Sequence, residues 1–240
     1  MQTMVENLDN FPMMAVVRKL IEKPIHDWDL KPPEAKALQA RLSRRVVRQS
    51  RINFEDIDTV AGVDTGYRTD TACAAIVVMN LTDLKIVEKA VAAKPVRFPY
   101  IAGLLSFREG PAIMEALEKL KTPPDLLMVD GQGIAHPRRF GVASHIGVLL
   151  DMPTIGCAKT RLVGVYEPPQ CSAGSTSFLT DDKETVGAVV RTRTGVKPVF
   201  VSIGHLMDLN DSIRVVLKSC RGYRLPEPLR RADHLSRKQI

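Results

Sequence analysis

Three short runs decide the fold: Thr59 to Tyr67 (TVAGVDTGY), Ala72 to Met79 (ACAAIVVM) and Lys85 to Ala92 (KIVEKAVA). Each is β-capable, and only Thr69-Asp70 and Asn80-Leu81-Thr82-Asp83 break them. Breaks that short favour hairpins, so the spacing predicts three antiparallel strands in a meander. The pattern then changes. Pro111 to Lys121 reads as a helix with proline near its start, Asp125 to Val129 as a buried strand, Phe140 to Leu150 as a helix and Pro153 to Ala158 as another strand. Such alternation implies parallel strands with helical crossovers. Further strands at Gly187 to Thr192 and Val199 to Ile203, then a helix over Leu209 to Lys218, complete an α/β mixed sheet flanked by helices: a meander first, crossovers after.

Upstream, Ala37, Leu38, Leu42, Val46 and Val47 recur at helical spacing behind Pro33, with arginines between them, which predicts a helix with one cationic side. The first 30 residues read as an arm or helix of unassigned role. With 240 residues, 45% hydrophobic and 25% charged, the expectation is one domain over 1–240. No apolar run approaches the ~20 residues of a membrane helix, and Glu6 and Asp9 stand where a signal peptide would carry basic residues. A cytoplasmic protein without membrane contact is expected. Cys73, Cys157, Cys171 and Cys220 form no C-x-x-C pair, so four reduced thiols are expected rather than a disulfide scaffold or structural zinc.

The net charge of +7 is unevenly placed. Six basic residues and no acid lie between Lys36 and Arg51, and eight basic residues face Glu227 and Asp233 from Arg214 onward. Basic excess gathered in two segments points to a polyanion such as nucleic acid; the plainer alternative is two solvated helix faces.

Asp64 interrupts the first strand, Asp130 ends an apolar strand, and Glu109 stands in Phe107-Arg108-Glu109-Gly110-Pro111. An acid in or at the end of a buried strand is costly unless paired or metal-bound. Carboxylates suit Mg²⁺, which can activate water and stabilise a leaving oxygen of a phosphodiester. Each acid taken alone is equally a turn or helix cap. Asp130-Gly131-Gln132-Gly133 invites a dinucleotide-binding reading, but His136 stands where a third glycine is needed. The glycines instead allow close approach of a ligand, with His136, Arg138 and Arg139 able to meet phosphate. Lys159, emerging from a buried strand, is either a surface lysine or a group aimed at the same sheet end as Asp130. His205 reads as a core histidine.

The segments Phe98-Pro99-Tyr100-Ile101, Phe107 to Pro111, Val129 to Arg138 and Gly222 to Pro228, with Val63-Asp64 and Gly156 to Lys159, strongly resemble the endonuclease V (deoxyinosine 3′ endonuclease) family, from about residue 35 to about 235. The resemblance implies a ribonuclease-H-like fold. It implies a DNA repair endonuclease that recognises hypoxanthine and cuts one nucleotide beyond the lesion on its 3′ side, leaving 3′-hydroxyl and 5′-phosphate ends. It implies Mg²⁺, with Mn²⁺ able to substitute, held by Asp64, Glu109, Asp130 and Asp233. Lys159 matches the active-site lysine, while His136, Gly131 and Arg138 match residues near the substrate. Pro99-Tyr100-Ile101 matches a strand-separating wedge, with Ala102 where a second proline usually stands. A monomer acting on DNA with deaminated bases is expected. Inosine in RNA is the alternative substrate, and a junction resolvase or hybrid nuclease of the same architecture is the alternative enzyme. A non-catalytic binding module would need only the basic segments.

Overall fold

The computed structural model describes residues 12–238. Its centre is one eight-stranded mixed sheet in the order β3-β2-β1-β4-β5-β8-β7-β6. The strands are β1 (Thr59–Arg68), β2 (Thr71–Asn80), β3 (Ile86–Pro95), β4 (Leu126–Val129), β5 (Thr154–Ala158), β6 (Thr176–Asp181), β7 (Glu184–Val190) and β8 (Val199–His205). Helices α1 (Pro12–Glu22), α2 (Pro32–Leu42), α3 (Leu105–Glu118), α4 (Val142–Leu150), α5 (Leu209–Lys218) and α6 (Glu227–Lys238) surround it. The expected meander is present: β1–β2 and β2–β3 are antiparallel. The expected crossovers are present too, since β4 runs parallel to β1 and β5 parallel to β4. Beyond β5 the sheet returns to antiparallel pairing through β8, β7 and β6.

Side chains alternate across the sheet, as a strand's period of two requires. Ala61 and Val63 of β1 join a core with Ala112 and Leu117 of α3 and Ile146 of α4. Val60, from the same strand, joins the opposite core with Val215 and Val216 of α5 and Leu229 of α6. Even-numbered β1 residues, Asp64 among them, therefore face α6. Gly62 lets that helix come close: a Cβ there would lie 2.2 Å from the Pro228 backbone. Burial of Leu229 behind it contributes about 1.5–3 kcal/mol to docking.

Two expectations are corrected. The helix read from Pro111 begins at Leu105, so Pro111 lies inside it and Glu109 sits in its body rather than before it. Proline is favoured in a first turn, and that rule misplaced the start; burial of Phe107, Ile113 and Leu117 outweighs the hydrogen bond that Pro111 removes. The helix expected to include Val46 and Val47 ends at Leu42, with a 3₁₀ turn over Ser43–Arg45. Its buried stripe is Ala35, Leu38, Gln39 and Leu42, while Val47 runs extended to pair with Leu206. The N-terminal arm holds α1 from Pro12; the expectation for residues 1–11 lies outside the described residues. His205 is buried, as expected of a core histidine, and its Nδ1 accepts from the Val47 amide. All four cysteines are free thiols.

Candidate active site

The acids converge because of strand register. Val63 pairs with Val129, and the Asp130 amide donates to the Val63 carbonyl at 2.9 Å. Asp64 and Asp130 therefore stand side by side at one sheet edge. Val129 in turn pairs with Gly156, which brings the end of β5, and Lys159 just beyond it, to the same edge. The α6 helix, seated on Gly62, brings Asp233. Carboxylate oxygens of Asp64, Asp130 and Asp233 lie within 4.8 Å of one another.

Lys159 holds this group together. Its Nζ donates to Asp130 Oδ2 at 2.5 Å and to Asp233 Oδ1 at 3.0 Å. Burial opposes the charge on Lys159, but Asp130 and Asp233 outweigh it and raise the lysine's pKa. Asp233 is lowered against its own burial by Lys159 and Arg237. Ser236 Oγ donates to Asp64 Oδ2 at 2.6 Å, one turn along α6 from Asp233. Even so, burial and the neighbouring Asp130 push Asp64 up to about 7.

Glu109 stands apart from the three. It is fully enclosed in α3, receives the Tyr67 hydroxyl at 2.9 Å, and is pushed up to about 8, chiefly by burial and then by Asp64 and Asp130. It nevertheless lines the same cleft as Asp64, Asp130, Lys159 and Asp233. Tyr67 is a contributor that the sequence reading missed; the arginine of Phe107-Arg108-Glu109 lies over its ring at 4.8 Å.

The donor set suits a hard cation. It is all carboxylate oxygen, with no thiolate or imidazole in the cluster. Ionised, Asp64, Asp130 and Asp233 carry three negative charges against the one of Lys159, which leaves two for a divalent ion to neutralise. Two raised carboxyl pKa values mark a cleft that lacks enough positive charge of its own.

A second cavity of about 310 Å³ adjoins the acids and shares Asp130 and Lys159 with them. Its walls include Tyr100, Ile101, Gly103, Gly131, Gln132 and His136. Pro99 and Tyr100 are exposed, Tyr100 to 75%, in a loop that ends at Gly103, where φ is +78°. That glycine's carbonyl is held by three donors: Gln39 Nε2 at 3.0 Å, Arg138 Nη2 at 2.7 Å and His136 Nε2 at 2.9 Å. The His136 ring is thereby fully used, since its Nδ1 accepts from the Arg138 amide at 3.1 Å. Burial lowers it to about 4, so it is a neutral brace in the cavity wall. Arg138 is likewise committed, through Nε, to Gln39 Oε1 at 2.6 Å, and Arg139 to Glu184 and Asp181. The sequence reading had all three able to meet phosphate; in the structure each is hydrogen-bonded within the protein. Gln39 was missed. Its signal was a glutamine on the apolar stripe of α2. Gln132 donates to the Thr160 carbonyl at 2.9 Å, while its buried Oε1 has no donor.

The basic segments are partly neutralised. Arg48 pairs with Glu184, Arg51 with Asp151, and Arg230 and Arg231 with Glu227. Lys36, Arg41, Arg44 and Arg45 are exposed around the end of α2.

Residues 40–234 match the family model for endonuclease V. Endonuclease V of Roseiflexus sp. is 50% identical over 209 residues, spanning 87% of this chain and 93% of that protein. The crystal structure of endonuclease V from Streptomyces avermitilis superposes with a TM-score of 0.83 at 44% identity, covering 88% of this chain and 94% of that one. That of Ciona intestinalis endonuclease V, in complex with a 24-mer DNA containing an inosine followed by a ribo-adenosine, superposes at 0.76 with 27% identity, covering 86% and 96%.

Proposed function

From the premise that the chain belongs to the endonuclease V family of hydrolytic DNA nucleases, we propose that it is a metal-dependent repair endonuclease for deaminated bases, chiefly hypoxanthine (deoxyinosine). It hydrolyses the phosphodiester one nucleotide beyond the lesion on its 3′ side, leaving 3′-hydroxyl and 5′-phosphate. The whole chain acts as one unit, as a monomer in the cytoplasm; among the described residues no helix is long and apolar enough to cross a membrane.

One observation carries this reading: a three-carboxylate cluster opens into a cavity of base-accommodating size, with Asp130 and Lys159 common to both. Asp64, Asp130 and Asp233 hold the cation, with Glu109 behind them. Mg²⁺, or Mn²⁺ in its place, supplies a polarised water and charge neutralisation at the leaving oxygen. Lys159 orients a phosphate oxygen at the edge of the cluster. The extruded base enters the cavity, where Gly131 allows close approach and Arg138 and His136 hold the loop that carries the wedge. A base must leave the stack to be inspected, and Tyr100, flanked by Pro99 and Ile101, fills the gap it leaves. The unsatisfied Gln132 Oε1 in the wall suits a base that presents an N–H.

The test is cleavage of matched DNA and RNA strands, each with one inosine, in Mg²⁺ and in EDTA. Metal-dependent nicking of the DNA strand beyond the inosine is expected. Nicking confined to the RNA strand would make the protein an inosine-specific ribonuclease. Cutting at branched junctions regardless of inosine would make it a resolvase.

A further inference from the structure

A directional hydrogen-bond chain runs from the N-terminal segment to the cavity wall. His26 Nδ1 lies 2.8 Å from the Asp27 carbonyl, His26 Nε2 lies 2.8 Å from His145 Nε2, and His145 Nδ1 lies 2.9 Å from Ser106 Oγ. With both rings neutral, the direction in which burial shifts them, every proton in it is fixed. A carbonyl only accepts, so Nδ1 of His26 carries the hydrogen and its Nε2 is bare. His145 must then donate from Nε2 and accept at Nδ1, which leaves Ser106 as the donor to that nitrogen. Burial lowers both pKa values and so favours the neutral rings that this polarity requires. The single hydroxyl hydrogen of Ser106 is thus committed to His145, and any further hydrogen bond to its Oγ must be one it accepts.

Packing shows that this chain is built into the molecule. Trp28 stacks beside both rings, with centroids 4.6 Å from His26 and 5.0 Å from His145, and Phe107 and Phe140 lie 5.3 and 5.1 Å from His145. Gly110 of α3 makes room for Trp28: a Cβ there would lie 2.2 Å from the indole. Ser106 and Leu105, in the first turn of α3, line the cavity, and Glu109 follows one turn later. His26 and Trp28 precede the residues 40–234 that match the family model.

We propose that His26 is a positioning residue for base discrimination: through His145 it seats the first turn of α3 and locks Ser106 as an acceptor toward the cavity. An acceptor at this point of the wall favours a purine with N–H at ring position 1 and disfavours one with a bare nitrogen there. Hypoxanthine and adenine differ at that atom. A site built around one hydrogen-bond polarity rejects the opposite one strongly, because a buried group is left unpaired. The inference rests on the proposed hypoxanthine specificity.

The experiment is single-turnover cleavage of an inosine-containing DNA strand, with the same strand carrying adenosine as unlabelled competitor. Discrimination is the competitor concentration that halves the rate, divided by the enzyme concentration giving half-maximal rate on inosine. His26→Phe keeps a ring against Trp28 but has no acceptor; His26→Gln places an amide oxygen near the lost Nε2. Expected are a fall of at least fivefold for His26→Phe and for Ser106→Ala, through the half-saturation value, with the maximal rate of His26→Phe within about twofold, and retention for His26→Gln. Unchanged discrimination in Ser106→Ala overturns the proposal. So does equal loss in His26→Phe and His26→Gln, which would assign the effect to ring packing. If His26→Phe does not fold, His26→Gln and Ser106→Ala decide alone. A wild-type protein that does not cut the inosine strand refutes the hypoxanthine reading itself, a result distinct from either.

Discussion

Gly62→Ala tests whether the proposed catalytic edge depends on how closely α6 sits on β1. The added methyl would lie 2.2 Å from both the carbonyl carbon and the oxygen of Pro228, and 2.7 Å from the Leu229 nitrogen. These are backbone atoms and cannot rotate away. Comfortable carbon–carbon contact begins near 3.5 Å, so α6 must retreat by about 1.3 Å or β1 must buckle. Overpacking of this kind costs about 1–3 kcal/mol, and in a chain of this length each kcal/mol lowers Tm by about 2–4 °C. The larger effect is on the site, because α6 carries Asp233 and also Ser236, the donor to Asp64. A displacement of about 1 Å in a catalytic constellation costs on the order of 100-fold in rate. Single-turnover nicking of inosine DNA at saturating Mg²⁺, beside a thermal melt, measures both. The expected result is a rate loss near two orders of magnitude with a folded, DNA-binding protein. A wild-type rate with an unshifted Tm would refute the idea that this contact sets the position of Asp233.

Asp130→Ala should abolish nicking in Mg²⁺ yet leave DNA binding measurable, since Asp130 belongs to the acidic cluster and affinity comes largely from basic groups on phosphates; near wild-type nicking would remove Asp130 from the metal site. Tyr100→Ala should leave Tm unchanged, because the ring is exposed, but lower discrimination between inosine-containing and undamaged strands by about five- to 150-fold, the equivalent of roughly 1–3 kcal/mol of stacking; an unchanged ratio of single-turnover rates would end the wedge assignment. Stability of the metal-free protein should fall as pH rises from about 7 to 8, above the range in which the lowered histidines favour folding. Asp64 at about 7 and Glu109 at about 8 keep protons in the folded state that the unfolded chain has already released, so folding is favoured below those values and that advantage is lost as pH rises through them. A divalent ion should reverse the trend, and a flat or rising Tm across that window in EDTA would contradict it.

Much of this was legible in the sequence, for identifiable reasons. The meander and the two crossover strands are runs of small and branched apolar residues between short breaks, and hydrophobic period is the strongest local signal. Asp64, Asp130 and Lys159 stood out as polar groups in or just past apolar strands, although each taken alone also read as a cap or a surface residue. Glu109 was found by type but misplaced, since Pro111 marked a helix start that tertiary packing overrode. Strand β6 and helix α6 were not recognised. In β6 only Leu179 is fully buried, and α6 is mostly charged, its buried residues being Glu227, Pro228, Leu229, Ala232 and Ser236. The roles of Gln39, Tyr67 and His145 were invisible because each depends on a partner between 40 and 120 residues away, which no local pattern encodes.

The two cavities meet at Asp130 and Lys159 for a topological reason. β1, β4 and β5 are mutually parallel, so their C-terminal ends fall on one edge, where ligands bind in open α/β sheets. The residues just past β4 and β5 there face two ways. Asp130 and Lys159 turn toward Asp64 and Asp233, while Gly131 and Gln132 turn into the base-sized cavity. Close packing enforces this, since a Cβ on Gly156 would lie 2.5 Å from the Gly133 nitrogen and 2.7 Å from the Gly131 carbonyl. The turn that follows Asp130 is therefore pressed directly onto β5. A shift of this turn would move the Asp130 carboxylate with it, so on the proposed function the seating of a base and the alignment of the acids would be coupled. A wrong base that failed to seat would then also fail to align the acids.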